Sequence, residues 1–319
     1  VPPYRICAIT FTNKGAQEMR ERAIALGAAG GAHISTFHSL CVRVLHQYAD
    51  QAGIGKGFTV YDPADQKKCM RLAVKECELD TTQFAPAKML NAISTLKNKL
   101  ISDPAYQDQA NDFFSKVLAQ VYTRYQAILS EQNALDFDDL LAKTAFLLQE
   151  NDAVCTELAQ RFKYIMIDEY QDTNHAQYCI AHSLALKHGN ICATGDPDQS
   201  IYRWRGADIR NILAFEKDWP DALVVKLEEN FRSSARILEI ADKLITHNQN
   251  RKDKRLVPTI PGGQPVSIKG YEDELQESQA IAEKIQRLAA KGVALRSMAI
   301  FYRVNAMSRA LEEALVRNR

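Results

Sequence analysis

The chain has 319 residues, of which 46% are hydrophobic and 25% are charged, and these values are typical of a globular protein with two or three domains. Its 40 Lys and Arg residues nearly balance its 39 Asp and Glu residues, so net charge does not indicate a nucleic-acid partner and any such site must be local. The seven scattered cysteines form no C-x-x-C pair, and no membrane-length apolar run or signal peptide is visible, which argues against a zinc site, a disulfide framework and a membrane partner and favours the reducing cytoplasm.

The N-terminal part of the chain alternates predicted strands and predicted helices. Residues 6–11 form an apolar strand candidate, and Thr12 or Asn13 can cap the helix that follows. A second strand is predicted over 33–37 and a second helix over 39–49. This alternation predicts an α/β domain with a parallel sheet.

Residues 53–161 have a different character, because helical periodicity dominates and no strand is predicted. The strongest apolar stripe runs from Phe113 to Leu129 and contains several aromatic residues. A stripe of this kind is far more often helix core than a binding surface. The segment is therefore predicted to be an all-helical insertion within the α/β domain.

Strand signals return after the insertion. Tyr164–Ile167 is a continuous apolar run, which predicts a strand buried on both faces. Further strands are predicted over 191–194 and 223–227, and Ser233 or Ser234 can cap a helix that reaches residue 245. A basic linker at 250–255 and a turn-rich linker at 258–265 then lead to a second α/β unit, with strands predicted over 266–271 and 298–302, a helix over 273–290 and another from residue 305.

Polar clusters follow three of the predicted strands, at the edge where open parallel sheets bind ligands. They are Asp168 with Glu169, the acidic turn that ends in Gln199, and the segment 230–232 that ends in Arg232. Each cluster alone is more often an ordinary turn or helix start. Together on one sheet they suit phosphoryl transfer, because an Asp can hold Mg²⁺, a Glu can activate water, a Gln can contact the water or the γ-phosphate, and an Arg can offset phosphate charge.

The segment 199–206 interleaves aromatic and basic side chains. Tyr202 and Trp204 alternate with Arg203 and Arg205. This mixture suits single-stranded nucleic acid, because bases stack on aromatic rings while arginines meet phosphates. The alternative is a surface loop whose Trp204 packs on the core.

Five segments occur in an order that resembles the successive motifs of superfamily 1 DNA helicases of the UvrD/PcrA/Rep type. They are residues 10–14 (TFTNK), 35–39 (STFHS), 168–174 (DEYQDTN), 195–207 (GDPDQSIYRWRGA) and 227–233 (LEENFRS), and residues 302–309 resemble a further motif. The similarity covers nearly the whole chain, and the third and fourth strings are long and specific. It implies a first RecA-like parallel-sheet motor domain over 1–52 and 162–230, a helical insertion subdomain over 53–161, and the start of a second RecA-like domain over 231–319.

The resemblance also implies an ATP-dependent 3′-to-5′ DNA helicase with ATP and Mg²⁺ as cofactors, single-stranded DNA and duplex junctions as partners, and a role in DNA repair in the cytoplasm. By position, Asp168 would hold Mg²⁺, Glu169 would activate water, and Gln199 would couple the γ-phosphate to the DNA site. Phe231 would stack on adenine, and Arg232 would touch the γ-phosphate. The side chains that would contact bases or line the path of the strand are Phe11, Tyr202, Trp204, Thr10, Asn13, Thr36, His38 and Arg205.

The chain departs from the family pattern in places. It contains no phosphate-binding loop of the form G-x-x-x-x-G-K-[ST], and the nearest look-alike, at 53–57, lacks the required residues. We therefore expect a fragment of a longer protein, one that hydrolyses ATP poorly or not at all by itself. Phe231 stands where Tyr is more usual, and Met307 stands where Gln is common.

Two other functions are open at this stage. A non-catalytic module derived from a helicase would hold single-stranded DNA or a partner without turnover. A metal-dependent nuclease would use the acidic cluster 136–139, but Asp136 is a good N-cap, and Asp138 and Asp139 favour a first helical turn. The capping interpretation of this cluster is the stronger one.

Overall fold

The structure is a computed structural model and describes residues 1–27, 30–248, 251–252 and 254–318. The chain divides into two compact units, the first comprising Val1–Leu227 with Ile245–Lys254 and the second Glu228–Leu244 with Arg255–Arg319. In the described part of the chain, no helix is both long enough and apolar enough to cross a membrane.

A four-stranded parallel sheet organises the first unit. The strands of this unit are β1 (Ile6–Thr10), β2 (His33–Thr36), β3 (Thr59–Val60), β4 (Ala134–Leu135), β5 (Tyr164–Ile167) and β6 (Ile191–Ala193). The main sheet has the order β2-β1-β5-β6, and all three of its pairings are parallel. The predicted α/β class with a parallel sheet is confirmed.

Helices follow the strands and cover one face of the sheet. The helices of the first unit are α1 (Asn13–Ala25), α2 (Phe37–Gln47), α3 (Pro63–Glu76), α4 (Pro86–Asn98), α5 (Asp103–Gln107), α6 (Phe113–Glu131), α7 (Phe137–Glu150), α8 (Asp152–Arg161), α9 (His175–Ala185), α10 (Arg210–Leu213) and α11 (Phe215–Asp218). Thr12 caps α1 by accepting a hydrogen bond of 2.9 Å from the Gly15 amide. Thr36 caps α2 in the same way, from the Ser39 amide at 3.3 Å. Each of these helices begins within three residues of the end of its strand. Because β1 and β2 are parallel, both helices start at the same edge of the sheet.

The sheet is well buried on one face only. Ile165 and Ile167 of β5 lie in the core with residues of α2, α7 and α9, whereas Tyr164 and Met166 are 39% and 45% exposed. The prediction that this strand is buried on both faces is therefore wrong. A continuous apolar run shows that both faces of a strand could be buried, but it does not show whether another element packs against each face. Here Met166 lines an open groove.

The helical segment between β2 and β5 contributes to two cores. Side chains of α3, α4 and α6 pack with one another around Met70, Ile93 and Tyr125. Residues of α7 and α8, such as Leu140 and Leu158, pack instead in the core of the main sheet. The predicted limits of the insertion, 53–161, stay a proposal.

Two details of this segment differ from the sequence prediction. β3 and β4 form a two-residue parallel ladder, although no strand was predicted between 53 and 161. The stripe of α6 is buried from Val117 onward, but Phe113 and Phe114 are exposed. They occupy the first turn of α6, just after its N-cap Asp112 and ahead of the residues that reach the core.

The second unit contains a small parallel sheet and three helices. Its strands are β7 (Glu229–Ser234) and β8 (Val257–Ile260), and its helices are α12 (Ala235–Ile245), which ends at the unit boundary, α13 (Glu274–Ala290) and α14 (Ser308–Arg317). Asp273 caps α13 by accepting a hydrogen bond of 2.7 Å from the Gln276 amide. The helices predicted from residues 233–234, 273 and 305 are therefore present.

Three predicted strands are wrong. Residues 223–227, 266–271 and 298–302 adopt no strand, and Leu223, Ile268 and Phe301 are strongly exposed. A strand requires a hydrogen-bonded neighbour, and the described residues offer none to these apolar runs. β8 forms instead across Pro258, within the segment that was predicted to be a turn-rich linker. Asn250 and Asp253 of the predicted basic linker lie outside the described residues.

Candidate active site and single-strand platform

Two of the three polar clusters meet at one edge of the main sheet. β5 and β6 are neighbours with the register Ile165↔Ile191 and Ile167↔Ala193, so the residues that follow them also lie side by side. The Tyr170 amide donates a hydrogen bond of 3.0 Å to the Thr194 carbonyl, and the Thr194 amide donates one of 2.8 Å to the Ile167 carbonyl. These bonds hold Asp168 and Glu169 beside the turn that carries Gln199.

Asp168 and Glu169 have different surroundings. The Asp168 amide donates a hydrogen bond of 2.8 Å to the Ile9 carbonyl, which fixes the backbone to β1. Burial, and then the neighbouring Glu169 carboxylate, raise the pKa of Asp168 above its usual value. Glu169 has φ 54° and ψ 41°, a left-handed conformation that is rare for a residue with a side chain. Such strain is typical of functional positions that the surrounding structure holds in place.

The turn after β6 is tied together by charged contacts. Gln199 Nε2 donates a hydrogen bond of 2.7 Å to Asp196 Oδ2. Lys254, from the basic linker, forms an ion pair with Asp196 and a second one of 3.2 Å with Asp198 Oδ2. Burial opposes ionisation of Asp196, but the hydrogen bonds from Lys254 and Gln199 outweigh it and lower the pKa of this carboxyl. Arg251 adds an ion pair of 3.3 Å with Asp198.

An open groove of about 1040 Å³ lies beside these residues. Asp168, Glu169 and Gln199 line it, together with apolar side chains of the sheet such as Ala8 and Met166. A groove with convergent carboxylates and an apolar floor can hold a small molecule that carries both charged and apolar parts.

The third polar cluster does not belong to this sheet, contrary to the prediction. Phe231 and Arg232 lie within β7 of the second unit rather than at a strand end, and both are exposed. The Asn230 side chain accepts hydrogen bonds from the Arg232 and Ser233 amides, at 3.1 and 2.8 Å. The error follows from the wrong strand at 223–227, because the true strand begins six residues later.

Tyr202 and Trp204 of the 199–206 segment form an aromatic platform with Phe11, in which Trp204 is exposed while Phe11 and Tyr202 are partly buried. The rings of Phe11 and Tyr202 stack with centroids 4.9 Å apart and planes 27° apart, and the centroid of Trp204 lies 6.4 Å from that of Tyr202. The Arg205 guanidinium lies 4.6 Å from the Trp204 centroid and 5.4 Å from that of Tyr202. Trp204 is 67% exposed, so the alternative that it packs on the core is wrong.

The other side chains predicted to line a DNA path are less uniform. Asn13 is exposed at the start of α1, but Thr10 and Thr36 are buried, and Thr36 caps α2. His38 is partly buried, and its ring meets that of Phe137 edge to face with centroids 5.8 Å apart. Burial lowers the pKa of His38 even though the nearby Asp138 acts in the opposite direction.

The acidic cluster 136–139 is a structural feature. Asp136 caps α7 by accepting a hydrogen bond of 2.7 Å from the Asp139 amide, and Asp139 Oδ2 accepts one of 3.2 Å from the Asp136 amide. The predicted N-cap is confirmed. The buried Lys97 forms ion pairs of 2.6 Å with Asp136 and 2.8 Å with Asp139, a partner that sequence reasoning missed because it lies 39 residues earlier in the chain.

The comparisons with known proteins agree with this architecture. Residues 1–220 match the family model for the UvrD/REP helicase N-terminal domain, and residues 225–319 match the UvrD-like helicase C-terminal domain. The chain is 44% identical over 320 aligned residues to the ATP-dependent DNA helicase PcrA of Staphylococcus epidermidis, with 100% of this chain and 44% of that protein covered. The same protein of Staphylococcus aureus gives the same identity and the same coverage. The chain thus spans about 44% of the length of these relatives, and it belongs to the UvrD/Rep family of helicases.

Proposed function

We propose that this chain is part of an ATP-dependent DNA helicase that moves along single-stranded DNA in the 3′-to-5′ direction. The observation that carries the proposal is the adjacency of Asp168 and Glu169, after β5, to the turn of Gln199, after β6. The relatives are ATP-dependent DNA helicases by name, which supports the same activity.

Asp168 is the residue that we propose to hold Mg²⁺ bound to ATP. Its carboxylate is half-buried at the groove, and burial together with Glu169 disfavours its ionisation, so a cation there would be stabilising. Among the described residues, no group of three or more His, Cys, Asp or Glu side chains could hold a metal ion. One carboxylate nevertheless fits Mg²⁺, which is commonly bound by one or two carboxylates together with substrate phosphates and water.

The remaining catalytic roles follow from the chemistry of the side chains. Glu169 is an exposed carboxylate at the groove and would orient and deprotonate the attacking water. Gln199 would contact the γ-phosphate. Phe231 and Arg232, which are exposed on β7 in the second unit, would stack on adenine and neutralise phosphate charge.

We propose that the platform of Phe11, Tyr202 and Trp204 binds the bases of single-stranded DNA, with Arg205 near the phosphates. Gln199 lies in a turn over Pro197–Gln199, and Arg205 lies in a turn over Arg203–Arg205. Only Ser200, Ile201 and Tyr202 separate the two turns, so a displacement of Gln199 by nucleotide would be transmitted to the platform over a very short path. Duplex junctions, a DNA repair pathway and a cytoplasmic location are parts of the same proposal.

The test is Glu169→Gln in the complete reading frame that encodes this chain, assayed for DNA-stimulated ATP hydrolysis. We expect a loss of about 100-fold or more, the contribution of a positioned general base. Glu150→Gln, which changes an exposed Glu at the end of α7, is the matched control and should keep full activity. Normal ATP hydrolysis by the Glu169→Gln protein would contradict the proposal. If neither the parent nor the variant hydrolysed ATP while both bound single-stranded DNA, the non-catalytic binding module would be supported.

A further inference from the structure

Gln171 joins the two polar clusters of the candidate site. Its side chain is only 1% exposed, although glutamine is usually a surface residue. Its Nε2 donates a hydrogen bond of 2.8 Å to Glu169 Oε2. Its Oε1 accepts a hydrogen bond of 3.0 Å from the Asp196 amide, at the start of the turn that carries Gln199. One buried amide therefore spans from the carboxylate after β5 to the backbone after β6.

We infer that Gln171 is a positioning residue, which holds the Glu169 carboxylate in place and ties it to the turn of Gln199. The inference rests on the proposed function, since Glu169 is the proposed base. Gln171 borders the same groove, but its amide is engaged by Glu169 and the Asp196 amide, so it acts through them. It extends the site from three separate side chains to a connected unit.

The bridge requires the chemistry of a primary amide. A primary amide donates and accepts hydrogen bonds at the same time, from two different atoms and without a charge. A carboxylate in its place would repel Glu169, and an apolar group would leave the half-buried Asp196 amide without its acceptor. The two partners determine which end of the Gln171 amide is Nε2 and which is Oε1, because a carboxylate can only accept and a backbone N–H can only donate.

The surroundings of Gln171 are built around this geometry. A Cβ atom on Gly195 would lie 2.5 Å from Gln171 Oε1 and 2.9 Å from Ile212 Cδ1, so the absence of a side chain at Gly195 makes room for the amide. The Ser200 hydroxyl donates a hydrogen bond of 3.3 Å to the main-chain carbonyl of Gln171. Glu169 itself is held in the left-handed conformation, a strained state that persists only where neighbouring contacts maintain it.

The Gln171 amide also lies close to a second carboxylate, that of Asp172. Gln171 Nε2 lies 3.4 Å from Asp172 Oδ2, while Asp172 Oδ1 is buried without a hydrogen-bond partner among the described residues. The amide thus faces two carboxylates but makes its short contact with Glu169. This preference directs the amide donor to the proposed base.

The experiment is a double-mutant cycle of Gln171→Met and Glu169→Gln in the complete reading frame, with DNA-stimulated ATP hydrolysis as the measurement. We expect Gln171→Met to lower kcat by about 10-fold to 100-fold, the usual effect of removing a partner that orients a catalytic group. The KM for ATP and the affinity for single-stranded DNA should change by less than about threefold, because the Gln171 side chain is buried and its amide is already engaged by Glu169 and the Asp196 amide. The double variant should be no slower than Glu169→Gln alone, because Gln171 acts through Glu169.

Two further variants keep the test decisive. Gln171→Glu retains an acceptor for the Asp196 amide but replaces the donor to Glu169 by an acid that repels it, so it should also lose kcat. Single-strand affinity close to that of the parent shows, for each Gln171 variant, that the loss of kcat occurs in a folded protein. Gln126→Glu is the matched control, because Gln126 Nε2 also donates to a carboxylate, Asp139 Oδ1 at 3.1 Å, in the helical segment. It should leave kcat unchanged.

The outcomes separate the inference from the proposed function. If Glu169→Gln abolishes hydrolysis but Gln171→Met and Gln171→Glu keep the parental kcat, the inference is overturned while the function stands. The inference is also overturned if the losses from Gln171→Met and Glu169→Gln multiply in the double variant, since the glutamine would then act independently of Glu169. If Glu169→Gln retains full hydrolysis, the proposed function itself fails.

Discussion

Replacing Lys97 by Met tests how α4 is anchored to α7, the helix whose apolar side chains pack in the core of the main sheet. Lys97 is 2% exposed, and its Nζ lies 2.6 Å from Asp136 and 2.8 Å from Asp139. Burial alone would lower the pKa of Lys97, but the two carboxylates outweigh it and raise that pKa. The cluster therefore holds one buried cation between two buried anions.

The size of the effect follows from what the substitution leaves behind. Without Lys97, two carboxylates stay buried side by side. Asp136 would keep the Tyr125 hydroxyl at 3.0 Å and Asp139 would keep the Gln126 amide at 3.1 Å, but neither partner supplies charge. Removing one member of a buried ion pair typically costs about 3–5 kcal/mol, and we expect Lys97→Met to lower the free energy of unfolding of the first unit by that amount at pH 8.

Both tryptophans, Trp204 and Trp219, lie in the first unit, so urea unfolding followed by their fluorescence reports on it. The loss of unfolding free energy caused by Lys97→Met should be smaller at pH 5, because the unpaired carboxylates can then take up protons. Adding Asp139→Asn should recover part of the loss. The control is Lys187→Met, at an ion pair that water screens. A deficit equal to that of Lys187→Met, or one that does not change with pH, would refute the reasoning.

Three further predictions concern the site itself. Trp204→Ala should weaken binding of an oligothymidine strand by roughly 1–3 kcal/mol, measured by fluorescence anisotropy, because one base–aromatic stack is lost; unchanged affinity would exclude Trp204 from the platform. Burial raises the pKa of Asp172 to about 6, so the folded chain binds this proton more tightly than the unfolded chain; the resulting stabilisation is complete only below the unfolded pKa of about 4 and is lost as pH rises through 6. Asp172→Asn should therefore be more stable than the parent at pH 8 in urea unfolding, keep about half of that gain at pH 5 and lose it near pH 4; the opposite trend would refute this. Gly195→Ala should destabilise the first unit by roughly 1–3 kcal/mol, because the added Cβ would clash with Gln171. Gly270→Ala is the control and should be neutral, because a Cβ there meets nothing within 4 Å. Equal thermal unfolding midpoints for the two variants would count against the close approach at Gly195.

Local patterns were sufficient to predict the main sheet. β1, β2, β5 and β6 all lie where apolar runs of strand length were recognised, and the caps at Thr12 and Asp136 were visible as polar residues ahead of helical periodicity. The adjacency of the clusters after β5 and β6 also followed from the parallel topology. These features depend on residues within a few positions of one another, which is why a single sequence contains them.

The failures share a physical cause, which is dependence on a distant partner. The run at 223–227 has strand composition but no hydrogen-bonded neighbour in the described structure, and the pairing falls instead to Glu229–Ser234 and Val257–Ile260. Met166 is apolar but lines a groove, because no described element covers it. The partner of Asp136 is 39 residues away. The intrinsic strand or helix propensity of a residue contains no information about such distant contacts.

The most consequential residue that sequence reasoning passed over is Gln171. It stood in the recognised string 168–174 without a role, because a glutamine between a tyrosine and an aspartate carries no signal of its own. Its importance becomes visible only when β6 is placed beside β5, since its acceptor partner, the Asp196 amide, is 25 residues away in the chain. A signal did exist in the adjacent Gly195, whose missing side chain leaves room for the amide. In this fold, therefore, the strand ends deliver two adjacent carboxylates, and a buried side chain between neighbouring strands holds one of them, Glu169, by a hydrogen bond.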